Sequence, residues 1–225
     1  MSYLTQGLLA AIVIILAGCT VNTKGDEVMQ KEWFAAAEQG NTAKILALLQ
    51  AGADINATDE RGRTAALAAT HGNHPDTLKA LIDAGADINQ RDHRSDNPLL
   101  YAGAEGLLDI VKLTVEAGAD TTLTNRFGGT ALIPAADRGH VDIVQYLLEH
   151  SDVNIDHINN LGCTALLEAV ILGHGGTKHT RIVQLLTEHG ADVNLPDNEG
   201  VTPLAHAEKR GYIEMIAILK AAGGR

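Results

Sequence analysis

Histidines, cysteines and arginines are the side chains of this 225-residue chain with the most scope for chemistry, and their spacing sorts them. His71 with His74, and His174 with His179, stand close enough to be ligand pairs. No Cys, Asp or Glu joins either pair at a recognised metal spacing, so structural or solvated roles outweigh metal binding. No metal or other cofactor is expected. Cys163, between Gly162 and Thr164, has no catalytic signature around it and reads as a small surface or half-buried thiol rather than a nucleophile. Residues 173–179, Gly-His-Gly-Gly-Thr-Lys-His, look like a phosphate cradle but lack P-loop spacing and follow no strand. Gly-x-Ser-x-Gly, His-Glu-x-x-His and Gly-x-Gly-x-x-Gly do not occur, and an enzyme is not expected.

What remains is recognition chemistry. The chain has nine arginines and eight lysines, and its net charge is −11. That balance excludes a general nucleic-acid binder. A guanidinium makes bidentate contacts with carboxylates and is enriched in binding hot spots, where lysine is depleted. The arginines matter only if the fold gathers them on one surface.

The elements that would gather them are repeats. Gly-Ala-Asp begins at Gly52, Gly85, Gly118 and Gly190, the first three 33 residues apart. Gly62, Ser95 and Gly128 keep the same 33-residue beat, Gly162 and Gly200 follow, and Thr64, Thr130, Thr164 and Thr202 come two residues after four of them. Such recurrence predicts a solenoid of stacked units, each a turn and two short helices. The threonines are expected to cap the first helix of each unit through the hydroxyl. Gly40, Gly106, Gly139, Gly173 and Gly211, with Asn73 in the second unit, are expected to end it at positive φ. Asp54, Asp87, Asp120 and Asp192 recur as turn formers. One unit cannot bury its apolar face alone, so stability must come from stacking. The fifth unit departs from the pattern, with a five-residue insertion within the segment 173–179 and an extra residue near Ile155 to Asn159.

These residues resemble the ankyrin repeat, whose pattern Asp-x-x-Gly-x-Thr-Pro-Leu, Ala-Ala-x-x-Gly-His, Ile-Val-x-x-Leu-Leu, Gly-Ala-Asp is best matched by Asp197 to Leu204, Ala135 to Leu148 and Gly190 to Asp192. Pro98 and Pro203 are the only prolines at the motif position, and the histidine after threonine-x-leucine is missing throughout. His140 and His174 match the histidine that follows the helix-breaking glycine. The resemblance covers about residues 28–225. It implies an all-α ankyrin-repeat solenoid of about six helix-turn-helix repeats with hairpin-like turns (about 28–61, 62–94, 95–127, 128–161, 162–199 and 200–225).

In that family the partner surface is usually formed by the hairpin tips and the exposed face of each first helix. Carried over, it includes seven of the nine arginines (Arg61, Arg63, Arg91, Arg94, Arg126, Arg138 and Arg210) and, of the lysines, only Lys209. His93, Phe127, Leu161, Ile171 and Leu172 lie on it too. The expectation is an arginine-lined groove in an acidic body, followed by an apolar stretch, through which a chain that is monomeric when free binds another protein. The competing reading is that the arginines pair with Asp59, Asp92 or Glu60 and hold neighbouring units together.

At the N-terminus, Leu8 to Leu16 is apolar throughout and is followed by Ala17-Gly18-Cys19, a stretch too short to span a bilayer. Leu16-Ala17-Gly18-Cys19 resembles the bacterial lipobox, which implies a signal peptide at 1–18, acylation of Cys19, a tether over 19–27 and attachment to the membrane through lipid. Thr20 rather than Asp after the cysteine implies the outer membrane, facing the periplasm. Residues 1–18 contain no Lys or Arg; an uncleaved apolar anchor or a misassigned start are the other readings. Proteins of this kind in Gram-negative bacteria include immunity proteins against toxic effectors such as phospholipases, and companions of periplasmic enzymes such as catalase. An envelope-assembly adaptor and an intracellular effector are the remaining alternatives.

Overall fold

The computed structural model describes residues 23–225, which are helix and turn with no strand among them. Residues 16–19, including Cys19, lie outside that range. The helices come in six pairs: α1 (Thr23–Glu38) with α2 (Thr42–Gln50), α3 (Ala65–His71) with α4 (Pro75–Asp83), α5 (Pro98–Glu105) with α6 (Leu108–Glu116), α7 (Leu132–Asp137) with α8 (Val141–His150), α9 (Ala165–Ile171) with α10 (Thr177–Glu188), and α11 (Pro203–Arg210) with α12 (Ile213–Ala221). First helices stack on first helices and second on second, so two parallel rows run the length of the molecule. Among the described residues, no helix is long and apolar enough to cross a membrane.

The inner row is rich in alanine because it is packed from both sides. Ala65, Ala66, Ala68 and Ala69 of α3 and Ala135 and Ala136 of α7 are all fully buried. The second row supplies larger groups, among them Leu78, Leu81, Ile110, Ile143, Leu147 and Leu186, also buried. Truncating one such leucine to alanine costs about 2–5 kcal/mol. Trp33 is buried in the first pair with no partner for its indole N–H.

Three of the four expected threonine caps form and one does not, while Asn97 caps the third unit in place of a threonine. Thr64, Thr164 and Thr202 accept from the N–H groups of Leu67, Leu167 and Ala205 at 3.2, 3.2 and 3.3 Å, and Asn97 does the same for Leu100 at 2.9 Å. Thr130 does not cap α7, and its buried hydroxyl has no partner. The cause is Pro134. Elsewhere the residue four after the cap returns its N–H to the cap carbonyl, as Ala68 does to Thr64 at 2.9 Å. Proline has no N–H to return. The turn closes instead one residue tighter, Ile133 N–H to Thr130 carbonyl at 3.2 Å, and the helix begins late.

A second difference lies at the insertion. Gly40, Gly106, Gly139, Gly211 and Asn73 take positive φ as expected, but Gly173 does not; Gly175 does, at φ 66°. The added residues extend α10 by most of a turn at its start and shift the motif histidine. His179, not His174, donates from Nε2 to the carbonyl of the preceding unit, at 2.7 Å to Asp137. His74 makes that contact with Glu38 and His140 with Ala104, each at 3.1 Å. In the last unit the Tyr212 hydroxyl takes over, donating to Gly173 at 3.0 Å. His74 and His179 are therefore spent on holding units together.

Candidate functional site

Five hairpin-like turns project from the stack, and one device builds them all. Asp59, Asp92, Asn125, Asn159 and Asp197 each accept through Oδ1 from the N–H groups two and four residues on, at 2.8 to 3.1 Å. The same five close the ring with their own N–H to the carbonyl four residues later, at 2.9 to 3.0 Å. This Asx geometry forces the residues between to point outward. Position two after each turn former is Arg61, Arg94, Phe127, Leu161 and Glu199, so one structural place reads basic, basic, aromatic, aliphatic and acidic along the array.

Neighbouring tips are tied to one another. His93 N–H donates to the Arg61 carbonyl at 3.0 Å, Arg91 Nη1 to the Thr124 carbonyl at 3.0 Å, and Asn160 N–H to the Phe127 carbonyl at 2.9 Å. His157 Nε2 adds a bond to Gly128 at 2.7 Å, and Asn198 Nδ2 one to Leu161 at 3.1 Å. The tips thus form a continuous, fixed rim. A partner that meets it has little backbone to order, which lowers the entropic cost of binding.

The seven arginines divide. Arg63 is only 7% exposed: Nε lies 2.8 Å from Asp59 Oδ2 and Nη1 lies 3.4 Å from Glu38 Oε1. It is a clamp between the first two units and leaves the candidate face. Its position four after Asp59 points it back at the turn former, as the ion-pair reading expected. Arg138 pairs with Glu105 at 2.7 Å and also donates to the Ala104 carbonyl at 2.8 Å. Arg210 rests on His206 of its own helix, which in turn meets Asp197 at 2.6 Å. Arg91 holds Thr124. Arg94 is exposed and only 4.0 Å from Asp96, Arg126 lies over the Phe127 ring at 4.5 Å, and Arg61 is exposed.

The apolar side chains of the expected face are for the most part exposed. Phe127 is 51% exposed, Leu161 63% and Leu172 48%, and Ile158 beside them is 50% exposed. Ile171 is half-buried and contributes less. Phe127, Ile158, Leu161 and Leu172 are the majority of the exposed large apolar side chains among the described residues, and they fall in three consecutive units. His93 is exposed next to Arg94.

Behind the rim lie groups that residue spacing did not reveal. The His71 ring stacks on Tyr101 with centroids 3.9 Å apart, joining second and third units. Burial, then the Arg63 charge, lowers the His71 pKa, and the charge of Arg94 is felt there as well. Under the fourth tip, buried Glu168 accepts from Asn159 Nδ2 at 2.8 Å. Burial raises the Glu168 pKa, partly offset by that hydrogen bond. Cys163 beside it is pushed up to about 11 by burial and then by the charges of Glu168 and Asp197. No three His, Cys, Asp or Glu side chains gather into a metal-sized cluster among the described residues.

Comparison with known proteins follows the same division into repeats. The family model described as Ankyrin repeats (3 copies) matches residues 33–125 and 99–178, and the model described as Ankyrin repeat matches 161–198. The crystal structure of an ankyrin repeat domain from Acinetobacter baumannii AYE is similar with a TM-score of 0.84 and 47% identity, over 87% of this chain and 100% of that one. The ankyrin repeat domain of Bcl-3, described as a unique member of the IkappaB protein family, gives a TM-score of 0.77 at 25% identity over 86% of each chain. The ankyrin repeat protein YahD of Escherichia coli strain K12 is 49% identical over 77 residues, 34% of this chain. That match spans 38% of the length of YahD.

Proposed function

The chain belongs to the ankyrin-repeat family, built as a protein-interaction module, and from that premise we propose that it binds its partner along the hairpin rim. The observation that carries this reading is the run of exposed guanidinium groups on consecutive tips, Arg61, Arg94 and Arg126, passing without a gap into Phe127, Ile158 and Leu161. An acidic body with net charge −11 has no need to place arginines there for solubility. Arginine and aromatic anchors at the centre of a contiguous patch are what hot spots are made of.

The fuller form of the proposal puts the module on the periplasmic side of the envelope, held to the outer membrane by acylated Cys19. There it is an immunity protein that blocks a toxic effector such as a phospholipase. Support comes from the lipobox-like Leu16-Ala17-Gly18-Cys19 and from the short tether, which would hold an inhibitor between a lipase and its lipid. The second reading, a companion of a periplasmic enzyme such as catalase or of envelope assembly, uses the same rim.

Two measurements test this. Palmitate labelling lost in Cys19→Ala supports the anchor, and unchanged labelling rejects it. Site-specific crosslinking from position 161 in whole cells, with the adduct identified by mass spectrometry, names the partner. An adduct that persists undiminished in Arg94→Glu and Phe127→Ser would reject the rim as its site.

A further inference from the structure

Stacked helices lie roughly 8–10 Å apart, so equivalent positions on consecutive tips recur at about that interval. A polypeptide in the polyproline II conformation has three residues per turn and rises about 3.1 Å per residue, which returns the same face every 9 Å or so. The geometry points to a partner segment in that extended form, with carboxylates at positions i and i+3 facing Arg61 and Arg94, and apolar side chains at i+6 and i+9 facing Phe127 and Leu161. This inference rests on the protein-binding reading and specifies the chemistry of its ligand.

Charge and register both enter. Exposed guanidiniums stand on the first three tips, Arg126 beside Phe127 on the third, and the fourth tip carries Leu161 with Ile158 alongside. Glu199 on the fifth tip closes the row and repels a carboxylate placed there, so the acidic end of the segment must lie over the N-terminal tips. A β-strand turns alternate side chains to opposite faces, and residues three apart cannot both meet the rim. An α-helix recurs at i+7 over about 10.5 Å, but a straight rod does not follow the curved edge of a solenoid. The rim also offers backbone: its carbonyls and N–H groups are largely paired between tips, so affinity must come from side chains.

The test uses synthetic peptides spaced by proline and serine, with glutamate at the first and fourth positions and leucine and phenylalanine at the seventh and tenth, binding followed by fluorescence anisotropy with the 23–225 array in the full chain. Expected are saturable binding, weakening with added salt, and a loss of about tenfold or more in Arg94→Glu and in Phe127→Ser. A peptide of the same composition with acidic and apolar residues alternating at the period-three positions should bind at least about tenfold more weakly. Equal binding of that shuffled peptide, tighter binding of a helical period-seven peptide, or no binding of the period-three peptide overturns the inference. If crosslinking from position 161 still depends on Arg94 and Phe127 while the period-three peptide fails, the ligand chemistry is wrong and protein binding stands; if both fail, the rim itself is wrong.

Discussion

His179 Nε2 lies 2.7 Å from the carbonyl oxygen of Asp137, and through that bond the fifth unit grips the fourth. His174, five residues earlier, is exposed and holds nothing of the kind. A buried or half-buried hydrogen bond of this sort contributes about 0.5–1.5 kcal/mol, more when a carbonyl is left unsatisfied. His179→Ala should therefore lower the thermal midpoint clearly, whereas His174→Ala should leave it within error. Circular dichroism melts of the two variants decide the matter, and equal effects would return the motif role to His174.

Pro134 leaves α7 without its cap, and removing the ring should restore it. Pro134→Ala gives Thr130 an N–H for its carbonyl and lets its buried hydroxyl cap the first turn. The helix gains about 1–2 kcal/mol from the cap and loses the proline clash, offset by less than about 1 kcal/mol of added unfolded-chain entropy. A higher urea midpoint is expected. A lower one would mean that Pro134 packs in a way that compensates for what it disrupts.

Arg63 and Arg94 look alike in sequence and should behave oppositely. Arg63→Ala breaks the pairs with Asp59 and Glu38 and strips a half-buried carboxylate of its partner, so stability should fall by about 1–3 kcal/mol. Arg94→Glu touches an exposed side chain with one long contact and should leave the melt nearly unchanged. Binding should show the reverse order once corrected for folding. Measuring both quantities on both variants separates the clamp from the contact.

Glu168 provides the pH dependence. Its folded pKa is raised by burial, so the folded state binds more protons than the unfolded state between the ordinary glutamate value and the raised one. Stability from this group is complete below about pH 4.3 and declines as pH rises through the window above it. Asp59 runs the other way: burial pushes its carboxyl upward, the hydrogen bonds from Arg63 and Arg61 outweigh that, and its contribution is lost as pH falls. Glu168→Gln keeps an acceptor for Asn159 and removes the titration. The difference in stability between variant and parent should grow in the variant's favour from pH 4 to pH 7, and a flat difference would show that Glu168 is not strained by its burial.

Much of this architecture was legible because repetition averages out local ambiguity. Gly62, Gly128, Gly162 and Gly200 mark the hairpins wherever they fall, and even Ser95 adopts the same left-handed backbone at φ 63°. The arginine face was legible only in part. Position two after a turn former projects outward, as with Arg94, and position four turns back, as with Arg63, and that distinction comes from the Asx ring rather than from residue type. Pro134 was visible in the chain, yet its effect on Thr130 depends on which carbonyl awaits its missing proton. The insertion misled the reading of Gly173 and His174 because a helix can absorb extra residues at its start as readily as a loop can.

Cys163 bears on how the rim meets oxidants. With its acidity shifted to about 11, only on the order of one molecule in ten thousand carries the reactive sulfur anion at neutral pH. Disulfide exchange runs through that anion, so covalent dimerisation beside Leu161 would be slowed in proportion. Burial, reinforced by the carboxylates of Glu168 and Asp197, thereby acts as a chemical safety catch, keeping a partly exposed thiol at the rim from tethering the protein to its neighbours.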